Sequence, residues 1–176
     1  MLPFKLESTT DIITAHAGLA VFGEFLHALG LPFHINNELP KPGSPRGYNP
    51  AKFIEPLLLM LHGGGRSLED MRQIKNDIGL QKLLNIESVL SPDATGDWLR
   101  RMGSGEGIYA LARVNRTYCR RALNRSEQTK FTLDIDATQI IAEKQDAHIT
   151  YKVERGYMPI VGHLAENGLV IGEEFR

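Results

Sequence analysis

Apolar and polar positions follow two different periods along this chain, and the period changes near residue 130. Between residues 19 and 29 the apolar side chains Leu19, Phe22, Leu26 and Leu29 recur with helical spacing. From residue 131 to 138 apolar and polar residues alternate one by one. A period of two is typical of a strand with one apolar and one polar face. The pattern therefore predicts helices first and strands afterwards.

Helix start and stop signals divide the middle of the chain into short helices. Asn49-Pro50 favours the start of one helix, and the glycines at 63–65 end it. Ser67 with Asp70 forms a capping-box pattern, and Ser91-Pro92 opens a further helix that Gly103 ends. A fourth helix is predicted over residues 106–122. Its apolar residues Leu111, Val114 and Tyr118 are expected to be buried, and Arg113, Arg116 and Arg120, on roughly the opposite face, to be exposed. Residues 31–50 are rich in Pro, Gly and Asn, which predicts an extended connection.

Three strands are predicted at the end of the chain, over residues 131–138, 156–164 and 169–175. The Asn167-Gly168 pair between the last two predicts a two-residue hairpin loop that places Leu164 opposite Ile171. The predicted fold class is α+β. The predicted organisation is an N-terminal helix and linker over residues 1–48, a helical region over residues 49–127, and a β-containing region over residues 128–176.

Composition narrows the class of protein. The chain has 176 residues, of which 42% are hydrophobic and 23% charged, as in ordinary globular domains. The one cysteine, Cys119, excludes a disulfide framework and a multi-cysteine metal site. No signal peptide is apparent at the start, and the longest apolar run, residues 56–61, is too short to span a bilayer. We expect a cytoplasmic protein without a membrane partner.

Charge is distributed unevenly along the sequence. Residues 1–97 carry a net charge of −3, residues 98–130 carry +6, and residues 131–176 carry −4. A basic middle followed by an acidic end fits a chain that grips a polyanion and presents carboxylates to metal. The candidate DNA-phosphate contacts are Arg100, Arg101, Arg113, Arg116, Arg120 and Arg121. The plain alternative is a solvated helix face. Residues 67–102 fit either a helix-turn-helix unit or an ordinary bundle of short helices.

Two aspartates carry the clearest candidate chemistry. Asp134 and Asp136 stand two apart on a predicted strand, so both side chains point to the same face. Neighbouring carboxylates repel each other unless cations, donors or solvent compensate. A divalent ion such as Mg²⁺ takes carboxylate oxygens and waters. An exposed strand face that happens to hold two acids is the alternative that the pattern alone leaves open.

The segment from Asp134 onward resembles the start of the catalytic domain of DDE transposases of bacterial insertion sequences, in particular the insertion-sequence 1380 family. The matching motifs stand at residues 136–138 (DAT), 142–144 (AEK), 150–152 (TYK), 155–159 (RGYMP), 162–164 (GHL) and 166–168 (ENG). Residues 57–77 and 91–103 are similar to the helical N-terminal region of the same family.

The resemblance implies an RNase H-like fold and a D-D-E triad that binds Mg²⁺ for DNA cleavage and strand transfer. It assigns the first acid to Asp136. Asp134 is kept as a second-choice metal ligand or as a group that supports the ligands. Lys152, Arg155 and Tyr157 follow the first predicted strand, where they are expected to contact DNA phosphate near the active site. The alternative is that they belong to an ordinary surface loop. Implied partners are transposon ends, target DNA and a second copy of the chain. Because the second Asp and the Glu are not found here, we expect a truncated, inactive fragment. A non-catalytic DNA-binding module, or repressor, and an inert remnant of a mobile element are the alternatives.

Overall fold

The computed structural model describes residues 7–175. Its contacts divide the chain into two compact units, one up to residue 111 and the other from residue 112 onward. Helices fill the first unit, and two small antiparallel sheets follow in the second. The α+β class predicted from the sequence is confirmed, whereas the predicted domain boundaries stay predictions.

Seven α-helices lie within the described residues. They are α1 (Ala17–Ala28), α2 (Leu31–Glu38), α3 (Ala51–His62), α4 (Met71–Asn76), α5 (Ile78–Leu83), α6 (Pro92–Gly103) and α7 (Glu106–Leu123). A single 3-10 turn at Leu68–Asp70 precedes α4.

Capping residues explain several of these bounds. The Asp70 carboxylate accepts hydrogen bonds from the backbone N–H of Arg66 and of Ser67, which lowers the pKa of Asp70. The Ser91 hydroxyl accepts from the backbone N–H of Ala94 at 3.2 Å and thereby caps α6. Helix α3 is capped differently from the prediction, because the Oδ1 atom of Asn36, not of Asn49, accepts from the backbone N–H of Ala51.

The predicted extended connection after residue 30 is wrong, because α2 lies there. Gly30 adopts a left-handed backbone with φ of 70°, which ends α1 and redirects the chain. Pro32 then stands in the first turn of α2, where its missing N–H costs no hydrogen bond. The Pro and Asn residues that suggested a loop are therefore compatible with a short helix.

The core of the first unit is formed by side chains from α1, α3, α4, α5 and the segment that follows α5. Its buried members are Leu19, Leu59, Met60, Met71, Ile74, Leu80, Leu84 and Val89. Met71 and Leu80 are fully buried. A second buried contact stacks the rings of Phe53 and Trp98 with centroids 4.7 Å apart. This unit thus has a continuous hydrophobic core of its own.

The second unit contains six strands in two sheets. They are β1 (Leu133–Ala137), β2 (Ile140–Ile141), β3 (His148–Ile149), β4 (Arg155–Tyr157), β5 (Ile160–Leu164) and β6 (Val170–Glu174). The first and third predicted strands form as β1 and β6. The second, predicted over residues 156–164, is interrupted at residues 158–159, so only its later part, β5, pairs antiparallel with them in the order β1-β5-β6. The second sheet, β2-β4-β3, was not predicted, since strands of two or three residues leave little periodicity to detect.

The hairpin between β5 and β6 differs from the predicted register. The backbone N–H of Leu164 bonds to the carbonyl of Leu169, so four residues, not two, form the loop. Gly168 takes a φ of 70° there. Beyond the loop an irregularity between Gly162 and His163 shifts the pairing, and Gly162 lies opposite Gly172. The prediction was therefore wrong by at least one residue, and the bulge accounts for part of the shift.

The second half of α7 is tied to the last strand by side chains. The Asn115 amide donates to the Val170 carbonyl at 2.9 Å, and the Cys119 thiol lies 3.3 Å from the same oxygen. Cys119 is buried. Within residues 7–175 no single helix is long and apolar enough to cross a membrane; only the bent pair of α1 and α2 meets that test jointly.

Candidate catalytic strand and arginine face

The two candidate metal ligands lie on β1, the edge strand of its sheet. Asp134 is paired with His163 and Asp136 with Val161 across the β1–β5 ladder. Both aspartates are exposed. Because residues two apart on a strand share a face, their carboxylates point to the same side of the sheet. The prediction of their location on a strand is confirmed.

His163 and Glu173 are neighbours of these acids that the sequence reasoning did not select. The Nε2 atom of His163 lies 3.7 Å from the Oδ2 atom of Asp134, which is ion-pair range but longer than a hydrogen bond. Glu173 stands opposite Val161 on β6. It therefore shares the face of Asp136 but lies two strands away, about 10 Å along the sheet. Only the strand register could have identified these neighbours.

The two aspartates could supply at most two ligands to a metal ion. Two carboxylates on one face fit a single Mg²⁺ ion that keeps most of its waters. A two-metal centre needs more ligands, because its ions stand only about 4 Å apart. Among residues 7–175 no group of three or more His, Cys, Asp or Glu side chains is placed to hold a metal ion. Asp134 and Asp136 would thus contribute ligands to a site that other groups complete.

The candidate arginines on α7 form a continuous basic strip, which we call the arginine face. Arg113, Arg116, Arg120 and Arg121 are exposed, whereas Val114 is 4% exposed. At 100° per residue Arg113 and Arg120 are nearly aligned along the helix. Arg121 stacks over the Tyr118 ring at 5.3 Å. The exposure of the three predicted arginines is confirmed.

The buried stripe predicted for α7 holds only in part. Val114 is buried, but Leu111 is 48% exposed and Tyr118 is only partly covered. The buried positions also include Gly107, Ala110 and Cys119, which are small side chains. Leu111 was expected inside because the prediction followed large apolar residues. The prediction for Leu111 is wrong, since the helix packs through its small residues instead.

The candidates on α6 are engaged differently from those on α7. Arg100 forms an ion pair with Asp97, one helical turn away, at 2.5 Å between Nη2 and Oδ1. Both side chains are 76% exposed, so the pair contributes little to stability. Arg101 lines a cavity beside Trp98 and Lys41. Arg101 is thus the α6 candidate with a defined concave surface around it.

Lys152, Arg155 and Tyr157 are largely occupied within their own sheet. Arg155 donates from Nε to the Ala147 carbonyl at 3.1 Å and from Nη2 to the Gln145 carbonyl. The Tyr157 hydroxyl donates to Asp146 at 2.6 Å, which raises the pKa of the tyrosine and lowers that of the aspartate. Lys152 lies over the Tyr151 ring at 5.7 Å. Arg155 and Tyr157 therefore hold the 145–147 loop against β4, which accounts for their presence without phosphate.

Comparison with known proteins identifies no relative for this chain. No protein-family model, no curated protein and no solved structure matches it. The function must therefore be argued from the residues and their geometry.

Proposed function

We propose that this chain provides the DNA-binding helices and the first catalytic strand of a Mg²⁺-dependent DDE transposase with an RNase H-like catalytic fold. The enzyme would act in the cytoplasm on the terminal inverted repeats of a mobile element and on target DNA, as a dimer. The observation that carries the proposal is the exposure of Asp134 and Asp136 on one face of β1. It agrees with the role that the motif resemblance gives them.

The arginine face gives the second support. Four exposed arginines lie on α7, and the only carboxylate in this helix is Glu106 in its first turn. A cationic strip without interleaved acids attracts phosphate, and release of counterions makes such binding strongly dependent on salt. Contacts of this kind position DNA without reading its sequence.

Chemistry would require ligands that this arrangement does not bring together. When bound, Mg²⁺ would activate the attacking oxygen and stabilise the leaving oxygen of the phosphodiester. The part of this chain is to hold that ion through Asp136 and Asp134. Since two acids cannot fix two ions, we expect the chain alone to bind DNA without cutting it.

A DNA-binding module without catalysis is the second candidate function. Two observations favour it. The arginine face is exposed, and within residues 7–175 no three His, Cys, Asp or Glu side chains are grouped so that they could hold a metal ion. The two candidates share the DNA-binding step and differ in whether Asp136 matters once the missing ligands are supplied.

Fluorescence anisotropy with a labelled duplex tests the shared step. Replacing Arg113, Arg116 and Arg120 by alanine should weaken binding to every sequence and lower the salt slope by about 0.9 for each lost contact. The matched control replaces Arg66, Lys75 and Lys82, three exposed cations of the first unit, and removes the same charge. Equal losses in both triple variants would show that net charge matters and the arginine face does not.

The metal step is tested by titrating the chain with Mn²⁺ and following paramagnetic broadening of backbone resonances. We expect broadening centred on Asp134 and Asp136 and its loss in Asp136→Asn. Broadening centred elsewhere would refute the proposed metal site while leaving DNA binding intact.

A further inference from the structure

A cavity of about 430 Å³ in the first unit has a composition that the proposed function does not use. We call it the Glu55 cavity. Its walls come from α1, α2, α3 and the segment after α5, and its polar lining includes His27, Asn36, Tyr48, Lys52, Glu55 and Asn85. Pockets of this size accommodate small organic molecules.

An ion-paired carboxylate lies in the wall of the Glu55 cavity. The Nε2 atom of His27 is 2.7 Å from the Oε1 atom of Glu55, and the two side chains are 49% and 20% exposed. Burial raises the pKa of Glu55, and the attraction of His27 only partly opposes this. Glu55 lines the cavity, and a largely buried carboxylate there is suited to accept an N–H donor from a ligand.

An aromatic ring forms the rim of the same cavity. Tyr48 is 52% exposed, yet its ring is held in place by an edge contact to Phe53, at 6.4 Å between centroids. Phe53 in turn stacks on the buried Trp98. Lys52 lies 4.9 Å from the centre of the Tyr48 ring. An exposed ring on a rigid support is a platform on which a planar ligand can stack.

A second cavity of about 420 Å³ shares Tyr48 with the first. Its lining includes the cations Lys41 and Arg101, the ring of Trp98 and one carboxylate, that of Glu106. The Lys41 ammonium donates to the Asn36 carbonyl, which fixes this cation near the boundary between the two cavities. Lysine and arginine side chains at the end of an aromatic platform are suited to bind phosphate.

We propose that the two cavities form one binding site for a nucleotide, with the base against Tyr48 and the His27–Glu55 pair and the phosphate toward Lys41 and Arg101. The nucleotide is either free or a single unit of a DNA strand turned out of its stack. Only the DNA source rests on the proposed function. The free-nucleotide source is independent of it.

The first arm of the test uses the full chain and the four deoxynucleoside 5′-monophosphates. Binding is followed by the indole N–H resonance of Trp98, the only tryptophan, and by saturation-transfer NMR of the ligand. We expect saturable shifts with at least one nucleotide. Tyr48→Ala and Glu55→Gln should weaken binding about tenfold or more, since base stacking and base-edge hydrogen bonds are lost. Tyr48→Phe should retain most of it.

The second arm uses a single-stranded oligonucleotide that carries one 2-aminopurine as the fluorescent base. The same strand abasic at that position is the competitor that lacks this base. Insertion of the base into the site should change the 2-aminopurine fluorescence, and Tyr48→Ala should abolish the change. Tyr109→Ala and Glu24→Gln, which alter exposed residues outside both cavities, are the matched controls. Melting curves show that each variant is folded.

The outcomes separate this proposal from the proposed function. Ribose 5-phosphate binding as tightly as the nucleotides, or unchanged binding in both Tyr48→Ala and Glu55→Gln, would overturn the nucleotide site. Absence of base-dependent signals in both arms would do the same. Loss of the salt-dependent duplex binding in the arginine triple variant concerns only the arginine face, because none of those three residues lines either cavity.

Discussion

The helical unit and the β unit of this chain bury their side chains to very different extents. Of 21 buried apolar residues among those described, 17 lie at or before Ala110. In the β unit every residue of β1 and of β6 is exposed. Leu133 and Ile135, on the apolar side of β1, are 52% and 62% exposed. The helices thus have a core of their own, whereas the sheet is held by backbone pairing and a few side-chain bonds.

This contrast has a functional consequence. A strand covered on neither face offers Asp134 and Asp136 to solvent without a desolvation cost, so the carboxylates remain available to a cation. The helical unit instead offers shaped concave surfaces, such as the Glu55 cavity. Each unit is suited to a different kind of binding.

Cavity-forming substitutions should show the contrast most strongly. Leu59 is 1% exposed within the helical core, and Leu59→Ala should lower the free energy of unfolding by about 3 kcal/mol. The matched variant Leu133→Ala, on the exposed sheet, should cost less than about 1 kcal/mol. Urea denaturation followed by circular dichroism measures both. Equal losses would show that Leu133 is covered in solution.

Asp77 should account for the next largest effect, because it joins the N-terminal segment to α5. Its carboxylate accepts from the Thr14 hydroxyl at 2.5 Å, from His16 Nδ1 at 2.9 Å and from the backbone N–H of Leu80 at 2.8 Å. Asp77→Ala removes these bonds and the cap of α5, and should cost about 2 kcal/mol. Exposed Asp93→Ala is the control.

The same residue should make the helical unit sensitive to acid. Burial by itself raises the pKa of Asp77, but its hydrogen bonds outweigh this and leave the pKa below the ordinary value of 3.8. A lowered folded-state pKa contributes stability above the unfolded pKa, and this stability is lost as pH falls through the folded value. Wild-type stability should therefore fall below about pH 4, and less so in Asp77→Ala. Parallel acid titrations of both proteins would contradict this assignment.

Local sequence patterns predicted the helices and strands of this chain well, but they predicted the tertiary contacts of those elements poorly. Ser91-Pro92 and Gly103 predicted α6 at its observed bounds, because caps act within one turn. The alternation in residues 131–138 predicted β1. The helix α2 was missed because tertiary packing buries Ile35, at 1% exposure, and stabilises a segment that composition alone marks as a loop.

Only those features of the candidate site that depend on a single strand could be predicted from the sequence. The spacing of Asp134 and Asp136 sets their shared face, whatever the rest of the fold does. His163 depends on the β1–β5 register, and Glu173 also depends on the β5–β6 register, which contains the bulge near Gly162. Arg155 and Tyr157 were selected by position, but their partners are loop carbonyls and Asp146, which no spacing rule indicates.

A smaller effect is expected from loosening the β unit through Asn115. Asn115→Ala removes the hydrogen bond from the Asn115 side-chain amide to the Val170 carbonyl. It should destabilise this unit by about 1 kcal/mol. The rate of Cys119 modification measures this destabilisation, because burial raises the pKa of the Cys119 thiol and slows its reaction with thiol reagents. Modification should become about fivefold faster, while the Trp98 fluorescence transition of the helical unit stays unchanged.

Asn124→Ala, at the exposed residue just after α7, is the control for that experiment. An equal acceleration in this variant would show that the reagent reaches Cys119 without the Asn115 bond opening. A shift of the Trp98 transition in Asn115→Ala would show that the two units do not respond separately.

The smallest effects on stability should come from the two aspartates of β1, and that smallness is itself informative. Both are exposed on one face of an edge strand, where the two carboxylates repel each other. Exposed side chains of this kind make little stabilising packing contact. Asp136→Asn should therefore change the free energy of unfolding by less than about 0.5 kcal/mol, with a slight gain from reduced repulsion. Asp134→Asn should gain less, since it also loses its attraction to His163 across the ladder. Denaturation of the β unit, followed through Cys119 modification, measures both. A loss of 2 kcal/mol or so in Asp136→Asn would mean that this carboxylate has a structural partner. Asp136 would then have a structural role, and its exposure would no longer support cation binding on β1.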